Sequence, residues 1–302
     1  MKRDFLALSQ FSKDELDNIF GLTAELKLRQ KQGIEHALLK GKSIALIFEK
    51  SSTRTRISFE VGVYQLGGQP LFISSATSQM GRGEPIKDTA RTISRYCDGV
   101  MIRTYGQEIV EEFAAYSSLP IINGLTDKFH PCQIMADIFT VMEHKGRYEG
   151  LKYAWVGDGN NMANTWIEAA AIFGFELRLA CPKGYEPDAG VLAWAAKKGA
   201  KLLLTTDPRE AVRGADVVNT DVWASMGQEA EQKEREKAFS GYCLDEQLMR
   251  LANPDSLVLH CLPAHRGEEI TDAVIEGKNS VVWDEAENRL HVQKAIMASL
   301  IK

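Results

Sequence analysis

The 302-residue sequence predicts an α/β protein of two doubly wound domains, each a parallel sheet with helices on both faces. Three observations carry that expectation. Ten short, nearly continuous apolar runs recur along the chain, the pattern of strands buried on both faces. Segments of helical length separate the runs, and such alternation implies parallel sheets joined by right-handed crossovers. The length exceeds one compact domain and suits two of about 150 residues.

In chain order, the first-half strands are SIALIFE (43–49), QPLFIS (69–74), DGVMIRT (98–104) and LPIING (119–124). The second-half strands are YAWVGD (153–158), ELRLACP (176–182), KLLLTT (201–206), ADVVNT (215–220), SLVLHCL (256–262) and NSVVWDE (279–285). Residues 54–66 read as a helix with Ile57, Val61 and Tyr64 on one side and Phe59, Val63 and Leu66 near it; NMANTWIEAAAIF (161–173) reads the same way. An amphipathic helix followed by a polar stretch over 133–150 marks the boundary. The expected domains are therefore 1–140 and 150–287, with a C-terminal helix, 288–302, packing back on the first.

Composition excludes several classes. Hydrophobic residues make up 44% and charged residues 25%, ordinary for a soluble globular protein. A net charge of −5 disfavours a general nucleic-acid or membrane surface. No apolar run approaches the roughly 18 residues of a membrane span, and MKRDFLALSQF lacks a signal-peptide core. Five cysteines, an odd count without C-x-x-C, fit a reducing cytosol and give no zinc-site spacing.

In open α/β sheets ligands bind beyond the carboxyl ends of the strands, so the polar residues there are the candidates, and a cleft between the domains is the expected site. After SIALIFE comes KSSTRTR. Ser51 or Ser52 can simply cap the following helix. Arg54 and Arg56 fit that less well, because a cation in a first turn opposes the helix dipole by about 0.3–1 kcal/mol. With hydroxyls and backbone N–H groups they suit a phosphate cradle. The Walker pattern is absent, which disfavours nucleotide kinase chemistry. Arg103 ends another strand. His130, before Pro131, can polarise a carbonyl or move a proton. VGDGNN (156–161) resembles a dinucleotide fingerprint, but no acidic residue stands at the next strand end, and asparagine amides can bind amino and carboxylate groups. Asp221, beyond ADVVNT, suits an amine; the charged stretch after it reads as a solvated segment or a lid over 225–245. Cys261 is either a small buried apolar residue or a thiol made acidic by His265 and Arg266. Arg289 places a cation at the start of the last helix.

Together, Ser52-Thr53-Arg54-Thr55, His130-Pro131-Cys132-Gln133, Asp221 with Ser225-Met226-Gly227, and His260-Cys261-Leu262-Pro263 resemble the aspartate/ornithine carbamoyltransferase family across essentially the whole chain. The last two segments point to its ornithine branch. The resemblance implies transfer of the carbamoyl group of carbamoyl phosphate to the δ-amine of L-ornithine, giving citrulline and phosphate. It implies a first domain that binds carbamoyl phosphate and a second that binds ornithine. By the same resemblance, Ser52, Thr53, Arg54 and Thr55 hold the phosphate. Arg103, Thr55 and His130 contact the carbonyl oxygen; Gln133 and the backbone carbonyls of Cys261 and Leu262 fix the carbamoyl amide; Arg289 completes the pocket. Asn161, Asp221, Ser225 and Met226 receive ornithine, with Asn160 the adjacent alternative to Asn161. Gln79 matches a residue given to a neighbouring subunit's site in a homotrimer. No metal or organic cofactor is required, and Cys261 is left as backbone acceptor, thiolate or proton path with Asp221. The competing readings are a carbamoyltransferase for putrescine, acylated ornithine or aspartate, a nicotinamide enzyme using VGDGNN, and a non-catalytic sensor.

Overall fold

A computed structural model of the chain describes residues 2–224 and 231–302. The chain forms two compact units, residues 1–136 with 287–302 and residues 137–286. The first unit carries a four-stranded parallel sheet in the order β2-β1-β3-β4, with β1 Ser43–Phe48, β2 Gln69–Ser74, β3 Gly99–Arg103 and β4 Ile121–Leu125. The helices α1 Lys13–Lys31, α2 Thr53–Gln65, α3 Ile86–Ile93, α4 Gln107–Tyr116 and α5 Pro131–Lys145 follow or precede these strands. The second unit carries a five-stranded parallel sheet in the order β7-β6-β5-β8-β9. Its strands are β5 Lys152–Val156, β6 Glu176–Ala180, β7 Lys201–Thr205, β8 Val217–Thr220 and β9 Leu257–His260. Its helices are α6 Asn161–Phe173, α7 Ala189–Lys197, α8 Pro208–Val212, α9 Gln232–Ala238, α10 Glu246–Met249 and α11 Asp272–Ile275; the last helix, α12, runs Val282–Leu300.

Local chemistry accounts for several boundaries. Ser12 and Glu15 close a capping box on α1. Ser52 caps α2, Asn160 caps α6 and Asp188 caps α7, each side chain accepting first-turn N–H groups. Pro131 begins α5, where a missing N–H costs nothing. Ala45, Ile47, Val100, Ile102 and Ile121 alternate into one core of the first unit with Phe113 and Val110. Val156, Val218 and Val258 do the same in the second with Phe239 and Leu244.

Three sequence expectations are corrected. Residues 279–285 are not a strand: Ser280 makes one isolated bridge to Val258, and Val282 opens α12. A short apolar run fits either state, and Asp284 and Glu285 in the first turn favour a helix N-terminus. Not every strand is buried on both faces. β2 lies at a sheet edge, with Leu71 39% and Phe72 40% exposed, and β7 at the edge of the other sheet has no fully buried residue. The buried face of α2 is Thr55, Phe59, Gly62 and Val63, whereas Ile57 is 54% and Tyr64 76% exposed. A distant partner sets that face: α12 approaches so closely that a Cβ on Gly62 would lie 3.2 Å from Met297 and 3.3 Å from Lys294.

The sheet orders fix the reversal point of each sheet. In the first sheet β1 connects outward to β2 on one side and pairs with β3 on the other; in the second, β5 stands likewise between β6 and β8. Crevices beyond such reversal points are the ligand positions of doubly wound sheets. They fall after Phe48 and Arg103, which pair in register, and after Val156 and Thr220, which do the same.

Candidate active site

At the β1/β3 edge of the first unit, β1 runs into α2 through Lys50-Ser51-Ser52. The Ser52 hydroxyl accepts the Thr55 N–H at 3.2 Å, so the cap reading of Ser52 holds locally. Thr53 is exposed and Arg54 half-buried, and the Arg54 side chain makes no hydrogen bond or ion pair among the described residues. Arg56 differs: it pairs with Glu60 at 2.9 Å and lies 3.6 Å over the Phe72 ring, which explains its position without a ligand. Thr55 is fully buried, and its Oγ1 accepts from Arg289 at 2.6 Å and Arg103 at 3.3 Å. Two buried guanidiniums thus meet on one hydroxyl. Arg289 lies eight residues into α12, not in its first turn as the sequence suggested, because the helix begins at Val282. The β3–β4 register shifts between Ile102 and Arg103, and such irregularities re-aim side chains.

His130 is buried before α5. Burial, then the Arg289 and Arg103 guanidiniums, hold its imidazole well below the ordinary range, so the ring is neutral at physiological pH. Gln133, in the first turn of α5, is fully buried. Beside it, burial pushes the Cys132 thiol up to about 12, and the thiol donates to the Asn123 carbonyl at 3.4 Å. Gln79 is exposed in the 75–83 loop, and its side chain makes no hydrogen bond among the described residues. Lys50, which sequence reasoning treated only as a flank, is buried, pairs with Asp127 and lies 4.2 Å over the Tyr105 ring. A lysine at a strand end gave no signal of this, because Asp127 is far away in sequence.

At the β5/β8 edge of the second unit, Asn160 Oδ1 accepts from Met162 at 2.9 Å and Ala163 at 3.3 Å, and its Nδ2 donates to Asp221 at 3.0 Å. Asn160 is thereby committed to the cap and to Asp221, while Asn161 opens α6 half-buried. Gly159 has a packing reason: a Cβ there would lie 2.3 Å from the Glu186–Pro187 backbone. In a dinucleotide fingerprint the corresponding space and the first helical N–H groups receive pyrophosphate. Here chain and side chain occupy both.

Asp221 is buried and accepts from the Cys261 thiol at 3.1 Å and from the Val222 N–H at 2.8 Å. Burial, then the carboxylates of Asp221 and Glu285, push the Cys261 thiol well above its ordinary value. This corrects the expected positive field. His265 and Arg266 are exposed, and Arg266 is engaged by Asp272 and, at 2.6 Å, by Glu276. Leu262 is the one non-glycine residue with positive φ, +58°, among the described residues. Ser225 and Met226 lie outside the described residues, as does the first part of the 225–245 segment; its later part includes α9.

Sequence reasoning also missed Asp158 and Arg235. Asp158 follows β5, and Arg235 of α9 donates to its Oδ2 at 2.9 Å and to the Trp223 carbonyl at 2.8 Å. Burial raises Asp158 to about 6 against the pull of Arg235. An acid directly after a strand end was a usable signal for Asp158; the charged run around Arg235 hid its buried member. Among the described residues, two groups bring potential metal ligands together: Asp221, His260 and Cys261, and His265, Glu268 and Glu269. In the first, His260 Nε2 already faces Glu269 and its Nδ1 accepts from Leu262, while the thiol serves Asp221.

Residues 3–143 match the family described as aspartate/ornithine carbamoyltransferase, carbamoyl-P binding domain, and residues 149–300 match aspartate/ornithine carbamoyltransferase, Asp/Orn binding domain. The chain is 77% identical to the ornithine carbamoyltransferase of Geobacter metallireducens over 303 residues, covering 100% of both chains. It is 63% identical to that of Syntrophotalea carbinolica, again over 100% of both. The solved ornithine carbamoyltransferase of Pyrococcus furiosus superposes with a TM-score of 0.95 at 49% identity, covering 99% of this chain and 97% of that one. The enzyme of Giardia lamblia superposes at 0.90 with 29% identity, covering 100% and 98%.

Proposed function

The chain belongs to the aspartate/ornithine carbamoyltransferase family, and from that premise we propose its reaction and the residues that carry it. It transfers the carbamoyl group of carbamoyl phosphate to the δ-amine of L-ornithine, forming L-citrulline and phosphate. The first unit receives carbamoyl phosphate and the second receives ornithine. The observation that carries the assignment of residues is the meeting of buried Arg103 and Arg289 on Thr55 beside neutral His130. Two guanidiniums held together repel one another, and an anion in reach of both relieves that repulsion.

In this reading Ser52, Thr53, Arg54 and Thr55 take the phosphate, aided by the amino end of α2. Arg103, Thr55 and His130 stabilise the negative charge that builds on the carbonyl oxygen as the neutral amine attacks, commonly the largest single catalytic contribution. A neutral imidazole serves this role without first giving up a proton. Gln133 and the backbone carbonyls of Cys261 and Leu262 hold the carbamoyl amide, and Arg289 steadies the departing phosphate. Asp221, with Asn161, Ser225 and Met226, orients ornithine. The Cys261 thiol keeps its proton and donates to Asp221, which fits its upward shift. The remaining gain is positional, since both reactants must be held in line.

Two further parts belong to the proposal. Exposed Gln79 serves the site of a neighbouring copy in a homotrimer. All five cysteines are free, which suits a reducing cytoplasm; no described helix is long and apolar enough to cross a membrane.

The test incubates purified protein with carbamoyl phosphate and, separately, ornithine, putrescine, N-acetylornithine and aspartate, and measures ureido product and phosphate. Citrulline from ornithine alone is expected. Preference for putrescine would keep the carbamoyl phosphate half and remove the roles of Asn161, Asp221 and Ser225.

A further inference from the structure

His260 stands at the end of β9 and has no substrate-binding role in the reading above. It is nonetheless almost wholly buried, and three hydrogen bonds fix it. Its backbone N–H donates to Glu285 Oε2 at 2.9 Å. Its Nδ1 accepts the Leu262 N–H at 2.9 Å, so that nitrogen carries no proton. Its Nε2 is then the protonated nitrogen and donates to Glu269 Oε1 at 3.0 Å. The same Glu269 oxygen accepts the His265 N–H at 2.6 Å. Glu269 is itself fully buried, and its backbone carbonyl accepts from Leu244 at 2.8 Å, which ties it to the body of the unit.

One imidazole–carboxylate dyad therefore receives backbone N–H groups from both ends of the turn 261–265. That turn contains Leu262, whose φ of +58° is unfavourable for a side chain with a Cβ and persists only where its surroundings enforce it. At that residue the Leu262 N–H is held by His260 Nδ1. The direction of the Cys261 and Leu262 carbonyls follows from that backbone conformation, as does the path of the thiol to Asp221.

We propose that His260, held by Glu269, is a positioning residue for carbamoyl transfer: it locks the 261–265 turn so that the Cys261 and Leu262 carbonyls face the carbamoyl amide. This rests on the carbamoyl-transfer reading above. The locking contact is the acceptor at Nδ1; the Nε2 contact holds the ring in the fold.

Those two contacts can be separated. In His260→Asn the side-chain oxygen takes the place of Nδ1 and can accept from Leu262, but nothing reaches Glu269. In His260→Gln the amide takes the place of Nε2 and can donate to Glu269, but Leu262 loses its acceptor. Steady-state kinetics and thermal melts are measured for the wild type, both variants and His260→Phe. Each variant is also made with Glu269→Gln, which removes the buried charge and keeps an acceptor for His265, so that a poorly folding single variant has a folded counterpart. The Gln variant should be the more stable, because its buried carboxylate keeps a donor. The Asn variant should be the more active, with kcat at least about 10-fold above Gln, and Phe should fall about 100-fold, the scale of a misplaced reacting group. A fold-only role predicts that activity follows stability, so Gln matching or exceeding Asn would overturn the proposal, as would near wild-type kcat in His260→Phe. A wild-type protein that makes no citrulline would sink the underlying reading. Citrulline from the wild type together with equal Asn and Gln activities would sink the lock alone.

Discussion

The buried pair of Arg235 and Asp158 gives the sharpest expectation about the second unit. Their side chains are 7% and 10% exposed and 2.9 Å apart, and Arg235 also donates to the Trp223 carbonyl. It thereby ties the end of β5, just before Asn160, to the chain just after Asp221. Arg235→Met strands a buried carboxylate and frees that carbonyl. Breaking one side of a buried pair costs about 3–5 kcal/mol. The outer contact with Glu231, which is 55% exposed, adds little. For a unit of this size that is a fall in midpoint of roughly 6–20 °C. Asp158 already stands near 6, so without Arg235 it rises further and protonates closer to neutral pH, which limits the loss. Adding Asp158→Asn removes the stranded charge, and the double variant should recover at least about half of it. All five tryptophans lie in residues 137–286, so fluorescence during thermal unfolding reports this unit directly. In kinetics, the KM for ornithine should rise about 10-fold or more while that for carbamoyl phosphate changes little, because only the acceptor half is loosened. A midpoint within about 2 °C of the wild type, or equal rises in both KM values, would refute this account of Arg235.

Three other outcomes are expected. Arg54→Ala should keep its melting temperature and lose turnover by about 100-fold or more, since one donor to developing charge is commonly worth that much; retained phosphate affinity in a binding titration would remove Arg54 from the cradle. Lys294 is fully buried against Gln65 at 2.8 Å and His36 at 3.1 Å, and burial lowers it to about 8. Its folded value lies below the unfolded 10.5, so between about 8 and 10.5 the unfolded chain holds the extra proton and stability rises with pH, by about 3 kcal/mol in all. Urea titrations of Lys294→Met should lack this rise; parallel curves for both proteins would contradict it. Cys261→Ser should keep activity within about 10-fold because a hydroxyl also donates to Asp221, and native protein at pH 8 should resist alkylation at Cys261. Rapid alkylation there would mean a thiolate.

The amino-acid sequence by itself determined the fold class and nine of the strands, and it named the polar residues that follow them. Buried parallel strands need continuous apolar runs, and the residues after them must answer to a ligand or a cap; both constraints are local and therefore readable. The helix cap at Ser52 was readable for the same reason. Side-chain partnership was not. Arg103 and Arg289 are 186 positions apart and meet on Thr55 only because β3 and α12 fold beside α2. The face of α2 depended on the approach of α12 to Gly62, which no periodicity in residues 54–66 contains. The run at 279–285 was ambiguous because a short apolar stretch suits a strand or a buried helix start until its neighbours are in place. The field around Cys261 was not readable, because His265 and Arg266 are exposed while burial and then Asp221, forty residues earlier, raise its thiol. Electrostatics and packing act through space, and only the tertiary structure decides which charges share it.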